Sequence, residues 1–506
     1  MCNNCDVALK IERLLMNVTQ GLSKIKKWIA LYIGAVSLIL VPLYIKGSYF
    51  GLIELKARVF LYTAIPAVLP AAVLAAAEFF FDRGSRHKIV KTSTVLLLII
   101  GLWSLLSSFL SENPIQSLTG SRGWKVGSLM TVVLISATII VSKHFQFGSY
   151  LLLPIIAVNL FINTLAVIQS AGVNAFGLQN GLIREQYYVY LTTIGNSNSY
   201  SGYLCLLLPL FWGTFLSCKE RATELLYGLF AVLGFMGLIM AESDSSYAGI
   251  GICLLFILLF VFGSEQYAEQ YLKRSAILLV LFGGCLLFVR YFPLFEAKRA
   301  EFAGLSWRML CSPVPEILIL CGVLLYLSAG RLIRSGKGRY LLIVLETLII
   351  VAICGFFVIL VSNFNDGWGN GRGEIWRISW EYFCELPPRY KITGLGPEMV
   401  FLAFREHLAE TGSNVVTAHS DIMQVLLTQG IVGLALYIAL WGYLAALFFR
   451  KKVWKSNTAV FFFPLAAYWG QSLFCTVYPV TAVAFSFMAG LYLRYTEYAD
   501  SGGNQL

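Results

Sequence analysis

Runs of about 18 to 22 mostly apolar residues follow one another along almost the whole chain, and that repetition leaves few folds open. A hydrocarbon layer about 30 Å thick is crossed by about 20 helical residues, because lipid offers no partner to an unpaired backbone N–H or C=O. The chain divides into about fourteen such runs, over 28–45, 59–80, 92–110, 126–142, 149–170, 200–217, 223–241, 246–263, 275–291, 314–330, 341–362, 421–449, 457–477 and 480–494. Composition agrees: 58% of residues are hydrophobic and 13% charged, where soluble domains carry about 25% charge. The expected fold is all-α, a polytopic transmembrane bundle of about 12–14 helices forming a single integral membrane domain over 1–506.

Lys and Arg favour cytoplasmic loops, and three basic clusters fall on one face of this map. They are Arg83, Arg86, Lys88 and Lys91; Arg331, Arg334, Lys337 and Arg339; and Arg450, Lys451, Lys452 and Lys455. Lys24, Lys26 and Lys27 precede the first run, which lacks a small-residue cleavage site, so it reads as a span and not a cleaved signal. Both termini are then inside a multi-pass protein of the cytoplasmic membrane. The net charge of +11 reflects topology and contact with membrane lipid, with no nucleic-acid partner implied. Cys2 and Cys5 have the spacing of a metal or redox pair, but no second pair stands nearby.

The connections are short except for two, both placed outside by this topology. Residues 363–420 form a large extracytoplasmic loop: a Gly-rich turn "NDGWGNGRG", a helix with Trp376, Trp380 and Phe383 on one face, the stop "LPP", the turn "GLGP", and a second amphipathic helix in "EMVFLAFREHLAE". Such a segment is expected to lie on the bilayer surface over the helices beneath. The other, 171–199, ends in "GNSNS" at the start of a helix. Asn196 and Asn198 there are ordinary N-cap residues or, with the free N–H groups of the helix start, contacts for an anion or glycan. After 363–420, "TAHSDIMQ" sets His419 at the lip of a membrane helix.

Three stretches taken in order resemble the O-antigen ligase and polymerase family of membrane glycosyltransferases. They are "GNSNSYSGYL", "GRGEIWRISWEYFCELPPRYKITGLGPEMVF" and "AHSDIMQVLLTQGIVGLALYIAL", followed by a closing helix pair in "YWGQSLFCTVYPVTAVAFSFMAGLYL". "LTGSRGWKVG" is similar to the family's outer Gly-Arg turn. The resemblance implies a GT-C-like bundle that moves a glycan from a polyprenyl-diphosphate-linked donor to a hydroxyl of a glycan or glycolipid acceptor, on the outer side of the membrane.

That chemistry needs a group to take the acceptor's proton and cations to hold the leaving diphosphate. Imidazole suits the first role near neutral pH, and the planar, permanently charged guanidinium suits the second. Of the four histidines, His87 and His144 fall on the inner side, and His407 lies on a charged helix face. The resemblance assigns His419 as the catalytic residue and Arg372 as the diphosphate clamp. Arg184, Arg377 and Arg122 are further candidates for the diphosphate, although Arg377 sits about 140° around the helix from Arg372 and can instead be an interfacial anchor. Trp376 and Trp380 either stack on sugar faces or tie the loop to the interface.

Where many relatives carry Ser-Arg after the seventh span, this chain has "AESDSSYAG". Glu242 and Asp244 either take over from that arginine or offer two ligands to a divalent ion, a poor site without help. No metal and no cofactor is expected. No glycine-rich phosphate loop with a lysine is present, so the donor is not expected to be a nucleotide. The competing class is a lipid-linked glycan flippase or other secondary transporter, which usually shows deep ionisable residues and matching broken helices in two halves. Glu346 is one of the few deep charges, and Pro209 and Pro464 are not placed symmetrically.

Overall fold

The computed structural model describes residues 21–81, 90–121, 123–146, 149–183, 186–264, 266–405 and 415–498. The main helices are α1 (Gly21–Leu43), α2 (Leu52–Phe81), α3 (Thr92–Phe109), α4 (Ser128–His144) and α5 (Ser149–Ser170). Next come α6 (Ser197–Ser217), α7 (Arg221–Ala241), α8 (Asp244–Gly263), α9 (Ala268–Tyr291), α10 (Val314–Arg334) and α11 (Gly338–Ser362). The series closes with α12 (Trp368–Glu385), α13 (Asp421–Arg450), α14 (Phe463–Ser472) and α15 (Pro479–Glu497). Among the described residues, eleven helices are long and apolar enough to cross a membrane, and the protein is an all-α polytopic bundle.

The count of about fourteen spans is corrected at one point in particular. The run 457–477 is not one helix: Asn457–Phe461 is a 3-10 turn, α14 has 10 residues, and 473–478 leaves the helix. Pro464 sits in the first turn of α14, and the segment is buried among its neighbours, so protein and not lipid satisfies the break.

The buried centre is α6, which hides nearly every side chain, whereas among the described residues of α11 only its first, Gly338, is buried. Near the amino end of α6 the Tyr200 hydroxyl donates to Asn163 of α5 at 2.7 Å. The ends of the bundle are tied by polar groups that reach helix termini. Lys56, fully buried in α2, donates to the carbonyls of Val41, Pro42 and Tyr44 at 2.7, 3.0 and 3.2 Å, placing its cation on the carboxyl end of α1. Arg274 of α9 does the same for α6 through Leu216 and Cys218 at 2.8 and 2.6 Å.

One end of the bundle gathers the longer connections. There Tyr49 donates to Thr192 at 2.6 Å, Gly123 to Glu54 at 2.6 Å, and Lys298 to Tyr188 at 2.8 Å. A two-residue strand pair, β1 (Tyr190–Leu191) with β2 (Gly195–Asn196), is antiparallel with Tyr190 opposite Asn196. Lys91, Lys143, Arg331, Arg334, Arg450, Lys451 and Lys452 lie toward the other end, as the alternation of the helices requires.

The 363–420 segment does more than cover the helices. It has an apolar core of its own, with Phe383, Leu386, Tyr390, Leu395, Met399 and Phe404 buried together. The expected second amphipathic helix is corrected: Val400–Phe404 is a 3-10 turn whose residues Val400, Leu402, Ala403 and Phe404 are buried, because the Gly394–Pro397 turn feeds them straight into that core. Most of the remaining stretch of the expected helix, including His407, lies outside the described residues.

Candidate active site

The centre of the site is the short approach to α13. Ala418 is held from both sides: its N–H donates to Gln424 Oε1 at 2.9 Å and its carbonyl accepts from Trp376 Nε1 at 3.1 Å. His419 follows with φ +49°, a left-handed conformation that costs a side-chain-bearing residue about 1 kcal/mol or more and persists only where its surroundings impose it. The imidazole is half-buried, and its Nδ1 has no hydrogen-bond partner. Burial, with the nearby Arg372 charge adding to it, pushes the pKa of His419 down to about 4.

Arg372 is aimed by its backbone. Gly369, Asn370 and Gly371 all take positive φ, so α12 starts with a left-handed turn just before the arginine. The turn is pressed against the preceding chain: a β-carbon on Gly373 would stand 1.9 Å from the Asn365 carbonyl. Behind it, Trp368 and Trp376 pack at 5.3 Å and Trp376 against Phe474 at 6.2 Å, joining α12 to the 473–478 connection. Arg372 makes no hydrogen bond or ion pair with any described residue, yet its charge acts on His419, Cys475 and Tyr478. Burial holds the Cys475 thiol up at about 11 in spite of that charge.

Arg377 has a different situation. Its fork is closed on Asp366, at 2.9 Å for both bonds, and on Glu381 at 3.1 Å. Among the described residues, one arginine of α12 is therefore without a partner and the other is engaged, a distinction invisible in "GRGEIWR".

Beneath the rim lies a cavity of about 280 Å³ between α3, α4, α13, α14 and α15, lined among others by Trp124, Glu398, Thr417, Asp421, Tyr437 and Trp441. Its upper wall is the turn around 121–126, clasped by Glu398, which accepts from the Ser121 hydroxyl at 2.8 Å and Val126 N–H at 2.5 Å. Burial raises the Glu398 carboxyl while these bonds oppose the rise. Asp421, 4% exposed, faces Ser472 and the backbone of Val477, and its Oδ1 has no partner. Neither carboxylate carried a signal in the sequence beyond standing beside a turn or a histidine.

The other expected residues fall apart from this pair or outside the description. Arg122 and Arg184 lie outside the described residues. Asn196 caps α6 by accepting from Asn198 N at 2.9 Å, Ser197 N donates to Val189 at 2.8 Å, and Asn198 Oδ1 accepts from Ser243 at 2.8 Å. The helix start thus has its first N–H groups filled by the chain itself, the N-cap arrangement. Trp380 is exposed and stacks on Phe383 at 6.0 Å. Glu242 accepts from Gly304 N at 2.9 Å and Asp244 from Leu305 N at 2.8 Å, so both carboxylates cap the short helix Leu305–Leu310.

Comparison with curated proteins finds no match. Residues 229–438 match the O-antigen ligase family, a stretch that contains Glu242, Arg372, His419 and the broken part of α13 and stops short of α14 and α15. With its run of apolar helices the chain is a multi-pass membrane protein, and over residues 229–438 it is similar to the O-antigen ligase family, a match that supports glycan transfer at the membrane in general.

Proposed function

We infer that the protein transfers a glycan from a polyprenyl-diphosphate carrier to an acceptor hydroxyl at the end of the bundle that holds His419, on the outer side of the cytoplasmic membrane. The observation that carries this reading is the pairing of a guanidinium without a partner among the described residues, Arg372, with an imidazole kept neutral beside it. In this scheme the acceptor hydroxyl gives its proton to His419 as its oxygen attacks the anomeric carbon. The bond from that carbon to the diphosphate breaks, and the electron pair leaves with the diphosphate, whose charge Arg372 binds. The imidazolium then sits beside a second cation and gives its proton up readily. Polymerase and ligase share these steps and differ in which acceptor is admitted.

The basic residues at the far end of the bundle support placing the site outside, since Lys and Arg collect on the cytoplasmic face. The cavity under the rim, apolar in depth, suits the carrier's hydrocarbon chain. The test is transfer by purified full-length protein given a polyprenyl-diphosphate glycan and an acceptor, without nucleotide. New glycosidic product is expected, falling at least about 100-fold in His419→Ala and Arg372→Ala protein that still elutes as a single folded species. Wild-type rates in His419→Ala would remove the scheme. Movement of the lipid-linked glycan across vesicles with no new bond would make the protein a flippase.

A further inference from the structure

A second cavity, of about 370 Å³, lies at the same end of the bundle, between the start of α2, the 123–124 turn, the β1–β2 pair and Tyr478. Two aromatic pairs form its walls: Tyr49 stacks on Tyr190 at 5.4 Å, and Trp124 meets Tyr478 at 5.3 Å. Phe50, 65% exposed, stands at its lip. The walls are fixed from behind. Tyr49 is committed through its hydroxyl to Thr192 and Gln169, at 2.6 and 3.0 Å, and the turn carrying Trp124 is held by Glu54. The Asn196 amide oxygen is used by the α6 cap, and its amide nitrogen makes no bond with any described residue.

Among the described residues that line this cleft, none has an acidic or basic side chain. Those residues offer hydroxyl, amide and aromatic groups and no cation for a phosphate. An acyl or prenyl chain has a better place behind Trp124, in the apolar cavity that shares that side chain. Flat aromatic faces with a free amide donor and backbone groups suit a sugar ring, whose C–H face is apolar and whose edge carries hydroxyls. Tyr478 in its wall lies in the field of Arg372, which also reaches His419. We propose that the Tyr49, Phe50, Trp124, Tyr190, Asn196 and Tyr478 cleft binds an uncharged sugar unit next to the site of transfer. This inference rests on the glycan-transfer reading for its role, although not for its ligand class.

The experiment replaces Phe50, in the full chain and in native membranes, with the photo-crosslinking residue p-benzoylphenylalanine, and uses Leu102, exposed on the apolar helix α3, as the control position. An adduct that labels after periodate oxidation, at position 50 and not at 102, is expected. Adducts of acyl lipid alone, or none above the control, overturn the inference. A second arm measures transfer by Phe50→Ala and Tyr190→Ala proteins, in which loss of one stacking face raises one KM about three- to tenfold with kcat kept. A rise in the acceptor KM assigns the cleft to the acceptor sugar, and a rise in the donor KM to the donor glycan. If neither KM moves, the inference fails. Carbohydrate adducts from a protein that forms no glycosidic product would leave the cleft intact and remove the transfer reading.

Discussion

Gly394 and Gly430 lie in backbone contact: a β-carbon built on Gly430 would stand 2.7 Å from Gly394 N and 2.2 Å from the Ile392 carbonyl. Gly430, with φ +69°, breaks α13 one-third of the way along, and the carbonyls freed by the break are taken up at once. Leu427 accepts from Leu395 N at 2.9 Å, Thr428 from Gly396 N at 2.8 Å and Ser107 at 3.0 Å, and Gln429 from Trp103 at 2.9 Å. The "GLGP" turn therefore replaces the missing turn of the helix, which is how irregular backbone persists at membrane depth.

Gly430→Ala is expected to dismantle this joint, because it combines a strained φ with overlap against backbone that cannot move aside. The cost exceeds the about 1–3 kcal/mol of a strained residue alone. Gly442→Ala, on the same helix, meets nothing within 4 Å, and is expected to be neutral or to gain up to about 1 kcal/mol from helix propensity. Thermal unfolding of the two purified variants, followed by size-exclusion fluorescence, separates them. Equal midpoints would show that the joint does not hold the segment.

The acid limb of kcat/KM is expected well below 6.5, because burial and Arg372 hold His419 near 4 in the free enzyme. Removing the cation raises that pKa. With the other three histidines changed to glutamine, the pH midpoint for diethyl pyrocarbonate reaction at His419 should rise in Arg372→Gln protein. The same shift bears on folding. Between about 4 and 6.5 the unfolded chain binds more protons at this residue than the native one, so its contribution falls as pH drops through that window and is constant above it. An unmoved midpoint would mean that the two side chains do not sense each other.

Arg372→Lys and Arg377→Lys change the same residue type five positions apart and should behave differently. A lysine at 372 offers a point charge where a planar fork is needed to hold the diphosphate, and transfer should fall by about tenfold or more. At 377 the ammonium still reaches Asp366 and Glu381 on an exposed surface, and turnover should stay within about twofold. Initial rates at saturating donor decide it; a larger loss at 377 reverses the assignment.

Chelation by EDTA is expected to leave transfer unchanged, since one oxygen each of Glu242 and Asp244 is taken by backbone N–H groups at 303–305. Glu242→Gln and Asp244→Asn should lower the unfolding temperature without creating or abolishing a metal requirement. Activity restored by added Mg²⁺ or Mn²⁺ after chelation would show these carboxylates in a second role.

The sequence by itself determined the class of the molecule, because hydropathy is a transfer property that each residue carries along with it and about 20 residues measure a bilayer wherever they stand. It also placed an imidazole and arginines in the same long connection, since short motifs preserve residue type and order. Only the tertiary structure decided which arginine is engaged by described residues and which is not. Arg377 is closed on Asp366, 11 residues away, and Trp376 reaches Ala418 across 42 to set His419. The break in α13, the buried Asp421 and the clasp of Glu398 on 121–126 belong to that second group. Each depends on what a distant backbone presents at hydrogen-bond range, and that is a property of positions in space, which hydropathy along the chain does not encode.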